Sequence, residues 1–203
     1  MSPSPWVRRK PRDNHFAEKR EAVLKQAAAL FAERGYDSVS LNELADSLNI
    51  TKPTLYYYFK SKNEILLEIQ GLAQDEVLGE IEDAKNFEGT GLARIEYFLS
   101  RYIDTVISDS VRCLTNAKLD PRRSGRAGQI NDRIKSVEKS LMDFFQQGMQ
   151  DGTIKRQDVR ILYHATFGML NSLAVWYKQH GPVKRQQMAE QIVSLLVGGM
   201  RNS

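Results

Sequence analysis

The chain contains a single cysteine, Cys113, so an internal disulfide is excluded, and only three histidines, His15, His164 and His180. Without clustered Cys/His ligands no zinc site is expected, and the fold must rest on its apolar core. No run of about 18 uncharged apolar residues is present, and the N-terminus lacks the apolar centre of a secretory signal, so neither a membrane span nor export is expected. These absences point to a reducing cytoplasm. G-x-S-x-G, H-E-x-x-H and glycine-rich nucleotide loops are missing too, which leaves no catalytic site, no metal and no cofactor to expect.

With 203 residues, 41% of them hydrophobic and 27% charged, the chain is long enough to bury a core as one large domain or two small ones. The net charge of +4 is unevenly placed: residues 1 to 62 hold 11 Lys/Arg against 7 Asp/Glu, and residues 63 to 203 hold 18 of each. A basic first third joined to a neutral remainder is the electrostatic footprint of a nucleic-acid-binding segment attached to a domain with another task.

Residues 1 to 15 carry three prolines with Arg8, Arg9, Lys10 and Arg12 and show no helical period. They read as a flexible basic arm, which would either neutralise phosphates or serve as a solvated tail. From Glu18 to Arg34 apolar residues recur at three- and four-residue spacing, predicting an amphipathic helix ended by Gly35. Ser40 with Glu43 forms an S-x-x-E capping box at the start of a second helix. Asn49 then stands where the chain must turn sharply, and Asn tolerates a left-handed backbone better than most residues. Thr51 can cap a third helix, with Pro53 tolerated in its first turn. In that helix Leu55 and Phe59 face inward, whereas Lys52, Tyr56 and Lys60, four apart, line an outward edge with Thr54 and Tyr57 beside it. Three successive tyrosines, Tyr56 to Tyr58, cannot all enter a small core; Tyr58 is the one expected inside. Basic and hydroxyl groups on one exposed edge suit phosphate contact, while first-turn residues lie nearest the bases.

The A-x-x-L-F-x-x-x-G-Y sequence of Ala27 to Tyr36 and the T-K-P-T-L-Y-Y-Y-F-K-S-K run of Thr51 to Lys62 make residues 18 to 68 resemble the DNA-binding domain of the TetR family of bacterial transcriptional regulators. Asn49 departs from the glycine more usual there. The resemblance places Ser40, Thr51, Lys52, Pro53, Thr54, Tyr56, Tyr57, Lys60 and Lys62 on the family's DNA-contacting positions. It implies an all-α fold of about nine helices: a helix-turn-helix domain over residues 16–62 and a larger ligand-binding and dimerisation domain over 63–203.

Ser61 with Glu64 predicts a second capping box, opening a long helix to about Ala84 with Ile65, Leu66, Ile69, Leu72 and Ala73 inside. By resemblance this helix links the two domains. Further helices are predicted at about 92–108, 111–119, 129–151 and 157–180, with a last one after Pro182. The polar stretch at 120–128 reads as a loop. The helix at 157–180 is apolar nearly all round and so must be covered on both sides. With the last helix, whose stripe is Met188, Ile192, Leu195, Leu196 and Met200, it would form a four-helix interface in a homodimer, as the family does.

The same family places Tyr97, Arg101, Tyr102, Cys113, Met142, Phe145, Phe167, Met169, Leu170, Asn171 and Trp176 on helices that surround an effector cavity. The run Gly168 to Tyr177 resembles members that govern fatty-acid and sterol catabolism and respond to acyl-CoA, with Arg122, Arg123 and Arg126 as candidates for the CoA phosphates. The implied function is a repressor released from a palindromic operator by an apolar or acyl-CoA-type effector. A non-specific nucleoid-type DNA binder and an enzyme acting on a bound thioester are the alternatives.

Overall fold

The computed structural model describes residues 12–115, 117, 127–178 and 181–202. Most of the basic arm, His180 and the arginines at 122, 123 and 126 lie outside the described residues. Nine helices appear among those described: α1 (Arg12–Arg34), α2 (Leu41–Ser47), α3 (Lys52–Tyr58), α4 (Lys62–Asn86), α5 (Gly91–Val106), α6 (Asp109–Thr115), α7 (Ala127–Gln150), α8 (Val159–Trp176) and α9 (Arg185–Met200). α1 begins six residues before the predicted Glu18, so residues 12 to 15 are helical and not part of an extended arm.

The cap chemistry sets the boundaries of the small helices. Ser40 accepts from the Glu43 N–H at 3.2 Å while its own N–H donates to Glu43 Oε2 at 2.7 Å, so the predicted box is complete. Asn49 turns the chain at φ 56°, the only non-glycine residue with positive φ among those described, and Gly35 ends α1 at φ 84°. At α4 the box is altered. Ser61 accepts from the Glu64 N–H, but the Glu64 carboxylate reaches back to the N–H of Lys60, not to that of Ser61.

Two apolar cores result. The first gathers Val23, Ala27 and Phe31 of α1, Leu44 of α2, Leu55, Tyr58 and Phe59 at α3, and Ile65, Leu66 and Ile69 of α4. It therefore continues beyond residue 62 into the first two turns of α4. Leu72, expected inside, is half exposed, because that stretch of α4 crosses from one core to the other.

The second core packs α5, α7, α8 and α9 around Ile95, Phe98, Leu99, Phe144, Phe145 and Leu170. Both members of the Phe144/Phe145 pair are buried. Its tightest point is a glycine crossing. A Cβ on Gly91 would lie 2.1 Å from Gly148 N, and one on Gly148 would lie 2.4 Å from Ile154 Cδ1, so α5 and α7 approach as closely as backbones permit. The C-terminus closes over the same region: Lys155 N–H donates to Met200 O at 2.9 Å and Asn202 N–H to Thr153 O at 3.0 Å.

Candidate nucleic-acid interface and regulatory cluster

α3 has only seven residues, so the first core and its cap hold it in place, not its own length. Thr51 Oγ1 accepts from the Thr54 N–H at 3.3 Å and exchanges a hydrogen bond with the Thr54 hydroxyl at 2.8 Å, which fixes the first turn. Leu55, Tyr58 and Phe59 are buried, whereas Tyr56 and Tyr57 are 45% and 71% exposed. Lys52, Pro53 and Lys60 are exposed beside them, and the Lys52 ammonium lies 6.0 Å from the Tyr56 ring centroid. Ser40 stands exposed at the α2 N-terminus. The outcome is one convex edge carrying cations, hydroxyls and two aromatic faces on a rigid base.

Lys62 does not stand free on that edge. Its ammonium donates to the Tyr36 carbonyl and sits 4.1 Å from the Tyr36 ring centroid, and burial lowers its pKa despite the nearby Asp37 and Glu43 carboxylates. The phosphate clamp expected at Lys62 is thus occupied in tying α4 to the loop after α1.

The regulatory candidates divide into separate groups. Phe145, Phe167 and Leu170 are packed inside the second core. Tyr102 is half buried among the rings of Phe98 and Phe167, and its hydroxyl donates to Asn171 Oδ1 at 2.7 Å. Burial, reinforced by Tyr163 and Glu80, raises the pKa of this phenol. Met142 and Met169 are half buried, and Trp176 stands half exposed, its indole N–H donating to Ser172 Oγ at 3.3 Å. Tyr97 stacks on Phe87 at 4.7 Å, while Arg101 pairs with Asp83 at 3.5 Å on the outer face of α5.

Cys113 belongs with none of these. It is fully buried in the first core, against the helices of the small domain, and its thiol is pushed up to about 12 by burial first and Asp109 second. The physical reason is that α6 lies chiefly on α1 and α4, with its apolar face turned to the small domain.

Glu80 and Thr105 escaped the sequence reading. The Thr105 hydroxyl donates to Glu80 Oε1 at 2.6 Å, the Glu80 side chain is buried, and its Oε2 has no protein partner. A signal was present: Glu80 interrupts the apolar stripe of α4 between Ala73 and Ala84.

A helix-turn-helix with a basic, hydroxyl-rich second helix, joined to a larger helical domain, agrees with the comparisons. Residues 23–69 match the model for bacterial regulatory proteins of the tetR family, and residues 88–200 match a tetracyclin repressor-like C-terminal domain. The chain belongs to the TetR family. The HTH-type transcriptional repressor KstR2 of Mycolicibacterium smegmatis is 26% identical over 197 residues, covering 92% of this chain and 93% of that protein. The structure of the ketosteroid transcriptional regulator KstR2 of Mycobacterium tuberculosis superposes with a TM-score of 0.81 at 25% identity, covering 91% and 96% of the two chains. AibR, solved in complex with isovaleryl coenzyme A and operator DNA, gives a TM-score of 0.74 at 26% identity over 88% of this chain and 98% of its own. The TetR family comprises DNA-binding transcriptional regulators and not enzymes, which sets aside the thioester-processing alternative. Among the described residues no helix is long and apolar enough to cross a membrane, and no group of acidic, His or Cys residues could hold a metal ion.

Proposed function

We propose that this chain is a homodimeric repressor that reads a palindromic operator with α3 and releases it when a small apolar or acyl-CoA-type effector enters the larger domain. The observation that carries the reading is the exposed edge of Lys52, Tyr56, Tyr57 and Lys60 on a buried, capped base. Ser40, Thr51, Pro53 and Thr54 complete the contact surface, with Lys52 and the first turn nearest the bases and the later residues against phosphates.

Dimerisation is supported by α8 and α9. Each buries one face in the monomer, yet Ile161, Val175 and Leu195 are 69%, 73% and 64% exposed, and Trp176 is half exposed. Of the α9 stripe expected at the interface, Leu195 faces outward, whereas Met188 and Met200 are buried within the monomer. Such exposed apolar residues on two successive helices suit a symmetric four-helix contact. The dimer would set the two α3 helices about one DNA turn apart, roughly 34–36 Å. An effector favouring another spacing would draw the population away from the DNA-competent form, and operator DNA would weaken the effector reciprocally.

For the effector, the aromatic cluster of Phe98, Tyr102, Tyr163 and Phe167, with Tyr102 and Asn171 as polar partners, supports a mainly apolar molecule bearing a hydrogen-bonding group. That AibR was solved with isovaleryl coenzyme A and that KstR2 is a ketosteroid transcriptional regulator favour lipid-derived effectors for this chain too.

The test begins with an operator selected from random duplexes by the wild-type protein. Lys52→Ala should weaken binding about tenfold and flatten the dependence of affinity on salt by roughly one counterion. Tyr57→Phe should weaken binding without changing that slope. If both variants keep wild-type affinity and sequence preference, the assigned edge is wrong; if short acyl-CoA thioesters leave the operator complex intact, the effector class is wrong.

A further inference from the structure

We infer that Phe16, on the first turns of α1, is a positioning residue that pre-sets Tyr57 for contact with DNA. The inference rests on the reading of α3 as the DNA-contacting helix and assigns a role to a residue well outside it. Phe16 is 39% exposed, so its ring is only partly taken up by the first core. Its ring meets Tyr57 edge-on, centroids 5.7 Å apart at 85°, and lies 5.1 Å from Tyr58 at 39°. Tyr57 and Tyr58 are themselves edge to face at 5.1 Å. The three rings close a triangle around the C-terminal half of α3, and of the three only Tyr58 is buried.

One helical turn further along α1, Arg20 fastens the same end. Its guanidinium donates to the Tyr58 carbonyl, pairs with Glu68 of α4 and lies 4.2 Å from the Phe59 ring centroid. α3 has no basic residue in its own last turn, so α1 supplies the cation that its exposed carbonyl end favours. Arg20 therefore holds the backbone of α3, and Phe16 holds the side chain projecting from it.

A tyrosine 71% exposed would otherwise sample several rotamers, and fixing one on DNA would reduce the affinity. An edge-on aromatic partner removes part of that cost beforehand, because the positive ring edge and negative ring face define an orientation as well as a contact. Phe16 thus contributes to DNA affinity through Tyr57 without needing to touch DNA.

The full-length protein and the selected operator provide the test, read as dissociation constants for the wild type, Phe16→Ala, Phe16→Leu, Tyr57→Ala and the double variant Phe16→Ala/Tyr57→Ala, with a melting curve for each. Phe16→Ala should weaken operator binding by roughly three- to tenfold, with Phe16→Leu, which keeps bulk but not the ring, recovering only part. Adding Phe16→Ala to Tyr57→Ala should change affinity less than about twofold, since the residue to be positioned is gone. Wild-type affinity in Phe16→Ala overturns the inference. So does an equal loss in both backgrounds, which would mean that Phe16 acts on DNA directly or on the fold. Should Phe16→Ala melt early, Phe16→Leu alone and on the Tyr57→Ala background carries the same comparison. If Tyr57→Ala binds normally while Lys52→Ala does not, the positioning role falls and the DNA-reading edge stands; if neither loses affinity, the edge itself fails.

Discussion

The two cores use polar chemistry in opposite ways. In the small domain nearly every informative polar side chain is at a helix end or on the surface: Ser40, Thr51 and Ser61 cap, Asn49 turns, and Lys52, Tyr56 and Lys60 face outward. In the larger domain one telling polar pair lies inside, where the Thr105 hydroxyl meets the buried Glu80 carboxylate across helices 25 residues apart in sequence, while the Tyr102–Asn171 bond joins α5 to α8 at the surface. A domain that must present a fixed surface places its chemistry outside a simple core. A domain that must answer to a ligand keeps polar groups where water is scarce and their interactions are strong.

Glycine substitutions should separate the two domains most forcefully. Gly91→Ala sets a methyl 2.1 Å from the Gly148 backbone N at the α5–α7 crossing, and overpacking of this kind should cost about 3 kcal/mol. Gly35→Ala meets no atom within 4 Å but must hold φ 84°, a strain of about 1–2 kcal/mol. Thermal melts of both variants check the order. A Gly91→Ala protein as stable as the wild type would show that the crossing can open, making the larger domain the looser of the two.

The same division explains what could be read from sequence. The small domain was legible because its signals are local: capping boxes span three residues, the Asn49 turn one, and the facing of α3 follows from a 100° step. Even so, the sequence pattern missed where α1 begins, and with it Phe16, whose contacts are with Tyr57 and Tyr58, far along the chain, and leave no local periodicity to read. It also failed to foresee that Lys62 would be taken up by Tyr36, a contact across 26 residues. In the larger domain the helices and most of their inward residues were found, but not which body covers each apolar face. Cys113 went to the other core and Met188 and Met200 to the monomer interior, because an apolar residue on a helix carries no mark saying which of two cores, or which subunit, covers it.

A smaller effect should come from Glu80. Burial raises its pKa above 4.5, helped by Glu76 and Asp104 and opposed by the Thr105 hydroxyl and Arg101. The folded protein therefore holds a proton here more tightly than the unfolded chain does. Its favourable contribution exists at low pH and is lost as pH rises from about 4.5 through the raised value. Glu80→Gln keeps an acceptor for Thr105 and removes the buried charge, so at pH 7.5 it should raise the melting temperature by roughly 2–4 °C. That gain should disappear at pH 4. An unchanged melting temperature at pH 7.5 would mean that the carboxylate is already compensated, and the contrast between the domains would weaken.

Glu43, the corresponding carboxylate of the small domain, should give the smallest change, and in the opposite direction. It is lowered from 4.5 to about 2, first by the Ser40 N–H and then by Arg34 and the Ser40 hydroxyl. A depressed folded value means that the ionised form is preferred in the native state, so its contribution is complete above pH 4.5 and fades as pH falls towards 2. Because the group is exposed, the loss should appear as fraying of the first turn of α2 and not as unfolding. Amide exchange at Glu43 and Leu44 should accelerate, relative to the intrinsic rate, between pH 5 and pH 2.5 in the wild type. In Glu43→Gln, which still offers an oxygen to the Ser40 N–H but has no charge for Arg34, protection should be lower at pH 5 and nearly independent of pH below it. Equal protection in the two proteins across that range would show that Ser40 alone holds the start of α2. The small domain would then depend on its hydroxyl caps, and the opposed behaviour of its glutamate and that of the larger domain would have no bearing on how the DNA-reading edge is held.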